Sequence, residues 1–206
     1  MTDSFLAGAR GVVHVGANSG RERDLYARHG LRVIWIEPIP EVFEALKANL
    51  AAYDLQRAFC ALITDVDGVE YAFNIASNHG ASSSILDLGM HRDIWPGVVY
   101  EGVVMLRSAT LPALLAREAI DVSEYDVMVL DTQGSELHVL RGAATILRGF
   151  RYIKVEVADF ESYANCCRVT DVERFMALYG FHEVDRERFA GRPEIGWYYN
   201  IVYARG

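Results

Sequence analysis

The chain has 206 residues, a hydrophobic fraction of 51%, a charged fraction of 23%, 17 glycines and 5 prolines, values that exclude a disordered or collagen-like chain. With 20 Lys and Arg against 28 Asp and Glu, the formal charge is −8, which argues against the broad basic footprint of a nucleic-acid or anionic-membrane binder. A chain of this length closes one sizeable core, so a single domain over residues 1–206 is expected.

Cys60, Cys166 and Cys167 are odd in number and two are adjacent, so no disulfide framework is expected, and no Cys/His spacing suits zinc. The Met1–Phe5 segment has no basic stretch followed by an apolar run, so no signal peptide is expected. Apolar runs are a handful of residues long, far short of a membrane span. Together these features predict a cytoplasmic chain with neither a nucleic-acid nor a membrane partner. No motif bears on the oligomeric state.

In chain order, Gly11–Val15 reads as a buried strand that stops at Gly16. Ser19 and Glu22 have capping-box spacing and open a predicted helix with Leu25 and Tyr26 inward and Gly30 as its stop. Arg32–Glu37 is a second strand, and Pro40 starts a helix whose Val42, Phe43, Leu46 and Leu50 share one face. Residues 57–63 read as a third strand, and Asp67-Gly68 as a turn into a strand near 70–75. Residues 74–101 show no period, and a structureless stretch of that length inside a domain points to function. The segment 76–100 is therefore expected to be a mobile lid that forms much of the acceptor pocket.

A strand at Val103–Leu106, a helix over Thr110–Glu118 and a continuous strand Val127–Leu130 follow. A helix from about Ser135 places Leu137, Leu140, Ala144 and Leu147 on one face, and Tyr152–Val157 is another strand. Thr170 and Glu173 suggest a second capping box, with Gly180 ending that helix. Phe181–Val184 and Trp197–Tyr203 are the last strands. Continuous apolar strands alternating with helices predict a mainly parallel sheet covered on both faces. The final two strands lack a crossover helix, so they form an antiparallel hairpin.

In such a sheet, ligands bind beyond the carboxyl ends of the strands. Gly16-Ala17-Asn18-Ser19-Gly20 follows the first strand, and its glycines allow a tight turn and a close ligand. Glu37 ends the second strand 21 residues after Gly16, where a carboxylate accepts both hydroxyls of a ribose. Asp131 ends the central strand. A pyrophosphate needs closely approaching backbone, and Asn18 stands where a dinucleotide fingerprint has glycine. S-adenosylmethionine has no phosphate and a polar amino-acid end, so it suits this loop better. A nicotinamide dehydrogenase is the weaker fit, since this chain has no room for a second domain.

The stretches His14-Val15-Gly16-Ala17-Asn18-Ser19-Gly20, Trp35-Ile36-Glu37-Pro38, Cys60-Ala61-Leu62, Ser82-Ser83-Ser84-Ile85-Leu86, Leu130-Asp131-Thr132-Gln133-Gly134-Ser135-Glu136 and Val155-Glu156-Val157 resemble the FkbM-type S-adenosylmethionine-dependent methyltransferases. The resemblance runs in order over nearly the whole chain. It implies an α/β, class I methyltransferase (Rossmann-like) three-layer sandwich: a seven-stranded, mainly parallel sheet with an antiparallel C-terminal hairpin. It also implies O-methylation of a hydroxyl on a sugar, a glycan, or a glycosylated or polyketide natural product. Two positions depart from the family: His14 stands where many members have Asp, and Pro112 replaces a family aspartate.

His14, Gly16, Ala17, Asn18, Gly20, Glu37, Pro38, Cys60, Ala61, Ser83 and Asp131 are the expected cofactor contacts, with the ribose on Glu37 and the adenine near Cys60-Ala61. His14 also reads as a hydrogen-bonded core histidine, and Glu136 as a helix-dipole carboxylate. Asp131, Glu156 and His91 are the catalytic candidates, because a sugar hydroxyl needs a general base. The acids are also compatible with a Mg²⁺ site of oxygen ligands, and no metal ligand is assigned. The competing reading is a catalytically silent cofactor-binding module that serves as an assembly or regulatory partner; the intact Asp131 and Glu156 speak against it.

Overall fold

The computed structural model describes residues 3–206; Met1 and Thr2 of the N-terminal reading lie outside the described residues. A short 3₁₀ turn precedes β1 (Gly11–Val15), α1 (Arg23–Arg28), β2 (Arg32–Glu37), α2 (Pro40–Leu50), β3 (Gln56–Cys60), β4 (Leu62–Ile63), β5 (Glu70–Ala76) and α3 (His91–Ile94). Then come β6 (Tyr100–Ala109), α4 (Leu111–Arg117), β7 (Val127–Leu130), α5 (Glu136–Gly142), β8 (Tyr152–Ala158), α6 (Val169–Leu178), β9 (Phe181–Arg192) and β10 (Gly196–Arg205).

The main sheet has seven strands in the order β3-β2-β1-β7-β8-β10-β9. Only β10 runs antiparallel to its neighbours, as the missing crossover requires. Successive residues of the central strands serve opposite faces. Val12, Val33, Trp35 and Val127 pack with Tyr26 of α1 and with Leu46 and Leu50 of α2. Val13, Ile34, Met128 and Ile153 pack with Leu114 of α4, Val139 and Leu140 of α5, and Met176 of α6. The result is a three-layer sandwich whose central strands are largely apolar because both faces are covered.

Several boundaries differ from the sequence reading. The expected strand 57–63 is split at Ala61, whose N–H closes on the Glu37 carbonyl at 3.3 Å. Beyond it, Leu62–Ile63 leaves the main sheet and pairs with β6 in a small sheet of order β4-β6-β5. The Ser19/Glu22 capping box does not form; α1 starts at Arg23, and Asn18 Oδ1 takes the Ser19 N–H at 2.8 Å. α6 starts at Val169, where Asp171 accepts the Arg168 N–H at 3.0 Å, in place of the Thr170/Glu173 pair. α5 ends at Gly142, and Val139 and Ala143, rather than Leu137 and Ala144, are fully buried. The terminal hairpin is much longer than Phe181–Val184 and Trp197–Tyr203, with strands through Arg192 and from Gly196. Its charged outward residues hide it from an apolar-pattern reading, as expected of an edge strand.

Candidate functional site

The carboxyl ends of β1, β2, β7 and β8 meet at one edge of the sheet. Gly16 turns away from β1 with φ +83, and a Cβ there would lie 1.8 Å from the Asp131 carbonyl oxygen. Its N–H and that of Ala17 both donate to the Ile36 carbonyl at 3.0 Å, which ties the loop to β2. Backbone on backbone leaves no side chain to yield. Gly16→Ala is therefore expected to destabilise the chain by about 3 kcal/mol or more, read as a fall in melting temperature.

Gly20 does a different job from the expected one. Its Cβ position is 2.7 Å from Leu46 Cδ1, so it allows the loop to pack on α2 and does not line the cavity. Asn18 lines the cavity with φ +44, but its side chain is spent on the chain itself. Its Oδ1 accepts from Ser19, and its Nδ2 donates to the His79 carbonyl at 3.1 Å.

Glu37 is buried at the end of β2 and accepts one backbone N–H on each oxygen, from Asn18 and from Ile39, both at 2.9 Å. Burial pushes its carboxyl up to about 7. A carboxylate offers about four acceptor positions, so two remain. Pro38, Ile39, Ala61, Leu62, Ile63 and Phe73 form an apolar wall beside it. Cys60 is exposed, with Sγ 3.7 Å from the Pro38 carbonyl, and is not part of that wall. The pleat turns it outward where Ala61 turns in. His14 lies on the cavity wall, stacked on Trp35 at 4.9 Å with Nδ1 3.2 Å from the Tyr26 hydroxyl. Burial pushes it down to about 4, so it is neutral and only a weak base.

At the end of β7, Asp131 is half-buried, and its carboxyl is pushed up to about 7, chiefly by desolvation. Glu156 on the neighbouring β8 is pushed up as well, by burial and then by repulsion from Asp131. One side-chain amide spans them: Gln133 Nε2 donates to Asp131 Oδ1 and, at 3.3 Å, to Glu156 Oε1. Glu136 takes no part in that pair. Its Oε1 accepts from Thr132 N and Gly134 N at 2.9 and 3.1 Å, so it shapes the turn between β7 and α5.

These groups line a cavity of about 230 Å³, with Glu37 and the apolar wall on one side and Asp131 and Glu156 on the other. From segment 76–100, Gly80, Ala81 and Ser83 reach the cavity, and Ser83 Oγ accepts the Ala76 N–H at 2.9 Å. His91 does not reach it. Its Nδ1 lies 2.7 Å from the Tyr198 hydroxyl and its Nε2 2.9 Å from Ser82 Oγ, and burial pushes it down to about 4. With both nitrogens engaged inside the protein, His91 fastens this segment to β10 and is not placed to act as a base. Trp95 packs on the same side, against His91 and Tyr198. Tyr100 donates to the Leu86 carbonyl at 2.7 Å. The segment is thus bonded down along much of its length.

Gln133, Arg21 and Glu22 belong to the cavity wall and escaped the sequence reading. For Gln133 there was a signal in the sequence: it lies between Asp131 and a glycine, just past the central strand. Among the described residues, no group of three or more His, Cys, Asp or Glu is arranged to hold a metal ion. Among the same residues, no helix is long and apolar enough to cross a membrane.

Comparison with known proteins bears on the fold and the family. No curated protein sequence matches significantly. Among solved structures, magnesium protoporphyrin IX methyltransferase from Synechocystis with bound S-adenosylhomocysteine superposes with a TM-score of 0.56 at 11% identity, covering 99% of this chain and 77% of that one. Sp1610 from Streptococcus pneumoniae, a candidate tRNA methyltransferase in complex with S-adenosylmethionine, gives 0.55 at 13% identity, covering 98% and 69%. A Burkholderia thailandensis 1,6-didemethyltoxoflavin N1-methyltransferase gives 0.50 at 14%, covering 97% and 72%. These structures share the fold of this chain, and each holds bound S-adenosylmethionine or S-adenosylhomocysteine. Residues 14–183 match the sequence model of the methyltransferase FkbM domain. The chain belongs to the FkbM family of S-adenosylmethionine-dependent methyltransferases.

Proposed function

We propose that the chain is an O-methyltransferase whose acceptor is a hydroxyl of a sugar, a glycan, or a glycosylated or polyketide natural product. The observation that carries this reading is the Asp131–Glu156 pair, which opens into the same cavity as Glu37. The residues fit the cofactor. Glu37 has two acceptor positions left for two ribose hydroxyls, and the Ile39, Leu62 and Phe73 wall suits a flat adenine. Arg21 is the one Arg or Lys on a wall that otherwise carries Glu22, Glu37, Asp131 and Glu156. It suits the carboxylate of the cofactor's amino-acid end.

When bound, S-adenosylmethionine supplies a methyl group on a positively charged sulfur that leaves as a neutral thioether. No acid is then needed at the leaving group, and the chain's task is at the acceptor. A sugar hydroxyl is a poor nucleophile until its proton is drawn away. Asp131 takes that proton; a carboxyl pushed up to about 7 is a far better base than an ordinary one. Glu156 beside it keeps a proton on the pair and prevents two adjacent bare charges. Walls that held acceptor and donor in line would contribute on the order of 7–11 kcal/mol.

The test is release of S-adenosylhomocysteine over a panel of free sugars, glycosides and hydroxylated polyketides, run beside amines and transfer RNA. Release with hydroxyl acceptors is expected. Release only with the amines or the RNA would overturn the proposal.

A further inference from the structure

The half-buried amide between the two acids is itself held in place. Tyr163 is 1% exposed, and its hydroxyl donates to Gln133 Oε1 at 2.6 Å. The same hydroxyl lies 3.3 Å from the Ser82 carbonyl. Its ring closes over Gly134, where a Cβ would meet Tyr163 Cδ2 at 3.1 Å, and Gly134 has φ +96. The left-handed Gln133-Gly134 turn therefore serves a purpose: it admits the tyrosine ring and aims the glutamine side chain at the carboxylates. On the main chain, Ser84 Oγ donates to the Gln133 carbonyl at 2.8 Å.

The orientation of the amide follows from donors and acceptors. Two carboxyl groups face its nitrogen, so the NH₂ end points at them, and the oxygen must then meet a donor. Tyr163 is that donor, with a single proton to give. Loss of the tyrosine hydroxyl would leave the half-buried Gln133 Oε1 without its donor and the amide free to turn.

We infer that Tyr163 and Gln133 form a positioning relay, in which the tyrosine hydroxyl locks the glutamine amide across Asp131 and Glu156 and so sets where the pair's shared proton resides. This rests on the reading of Asp131 as the base. Neither relay residue is a catalytic residue; both act through the acids.

The other charged groups facing the pair are Glu22 before α1, Glu136 at the start of α5 and Lys154 on β8, with Glu37 coupled to Asp131 from β2. The acids oppose ionisation of the pair, whereas Lys154 and the Gln133 amide favour it. Removal of the amide therefore shifts ionisation to higher pH.

The test needs no acceptor. Protein labelled with carbon-13 aspartate and glutamate is titrated by infrared spectroscopy, following the band of protonated carboxyl groups. Tyr163→Phe is expected to move the midpoint of the pair upward by about half a unit to one unit, and Gln133→Met by about one unit or more. Folding is controlled by circular dichroism and melting temperature in every variant, and in Tyr163→Phe, which lies off the cavity wall, S-adenosylhomocysteine binding should also stay within about threefold. Should Gln133→Met fail to fold, Gln133→Asn keeps an amide one methylene short of the pair and should shift in the same direction. A midpoint unchanged in both positions overturns the relay, as does a shift at Gln133 with none in Tyr163→Phe. Failure of Asp131 as the base is read separately, as an Asp131→Asn variant that still turns over.

Discussion

Asp131→Asn is expected to lower turnover by roughly 10²-fold or more while leaving S-adenosylhomocysteine affinity within a few fold. The substitution keeps the shape of the side chain and removes its charge. The group it replaces has no role in core packing: it is half-buried at a strand end, beside a second acid, facing a cavity. The same change should stabilise the chain, and the sign can be worked out. In the folded protein the Asp131 carboxyl ionises at about 7, against about 4 when unfolded. The folded state therefore holds a proton that the unfolded state has released, and wild-type stability falls as pH rises through that window. Asparagine carries no such cost. Asp131→Asn should melt above wild type at about pH 8, with the difference gone at about pH 4. A residue that costs stability and supports turnover is the signature of a functional group. Normal turnover in the variant would make Asp131 structural.

Glu37→Ala is expected to weaken S-adenosylhomocysteine binding by about 1–3 kcal/mol, the range for losing a charged hydrogen-bond partner. The change also strands the Asn18 and Ile39 N–H groups, so the loop loses one of its ties to the end of β2 and keeps those to the Ile36 carbonyl. Glu37→Gln retains the shape and one carbonyl acceptor and should lie between the two. Because burial pushes Glu37 up to about 7, wild-type affinity should rise as pH increases through that value, when the carboxylate forms. In Glu37→Gln that rise should be absent. Isothermal calorimetry at about pH 6 and about pH 8 reads both effects. Equal affinity in wild type and Glu37→Ala would remove the ribose from Glu37.

The parts of the site that lie on the main sheet were legible because a strand buried on both faces announces itself. β1, β2 and β7 are continuous apolar runs, so their ends fall at Gly16, Glu37 and Asp131, and all three line the cavity. Side-chain direction one residue past a strand end was not legible. Cys60 and Ala61 are neighbours in the sequence, yet only Ala61 faces the cavity. Segment 76–100 has no period because it is held by scattered bonds, such as Asn74 to Ser84 across a single bridge and His91 to Tyr198 over 107 positions. Tyr163 meets Gln133 over 30 positions, a contact that only the folded chain brings together. The hairpin of β9 and β10 was underestimated for a different reason: an edge strand is under no pressure to be apolar on both faces.

The most direct measurement uses S-adenosylmethionine labelled with carbon-13 in its methyl group, with product followed by nuclear magnetic resonance on an acceptor found by the release assay. The account predicts a methoxy signal on one hydroxyl of that acceptor with wild type, and its loss in Asp131→Asn at unchanged cofactor occupancy. A label that arrives on nitrogen or carbon, or a methoxy signal of equal strength in Asp131→Asn, would contradict it.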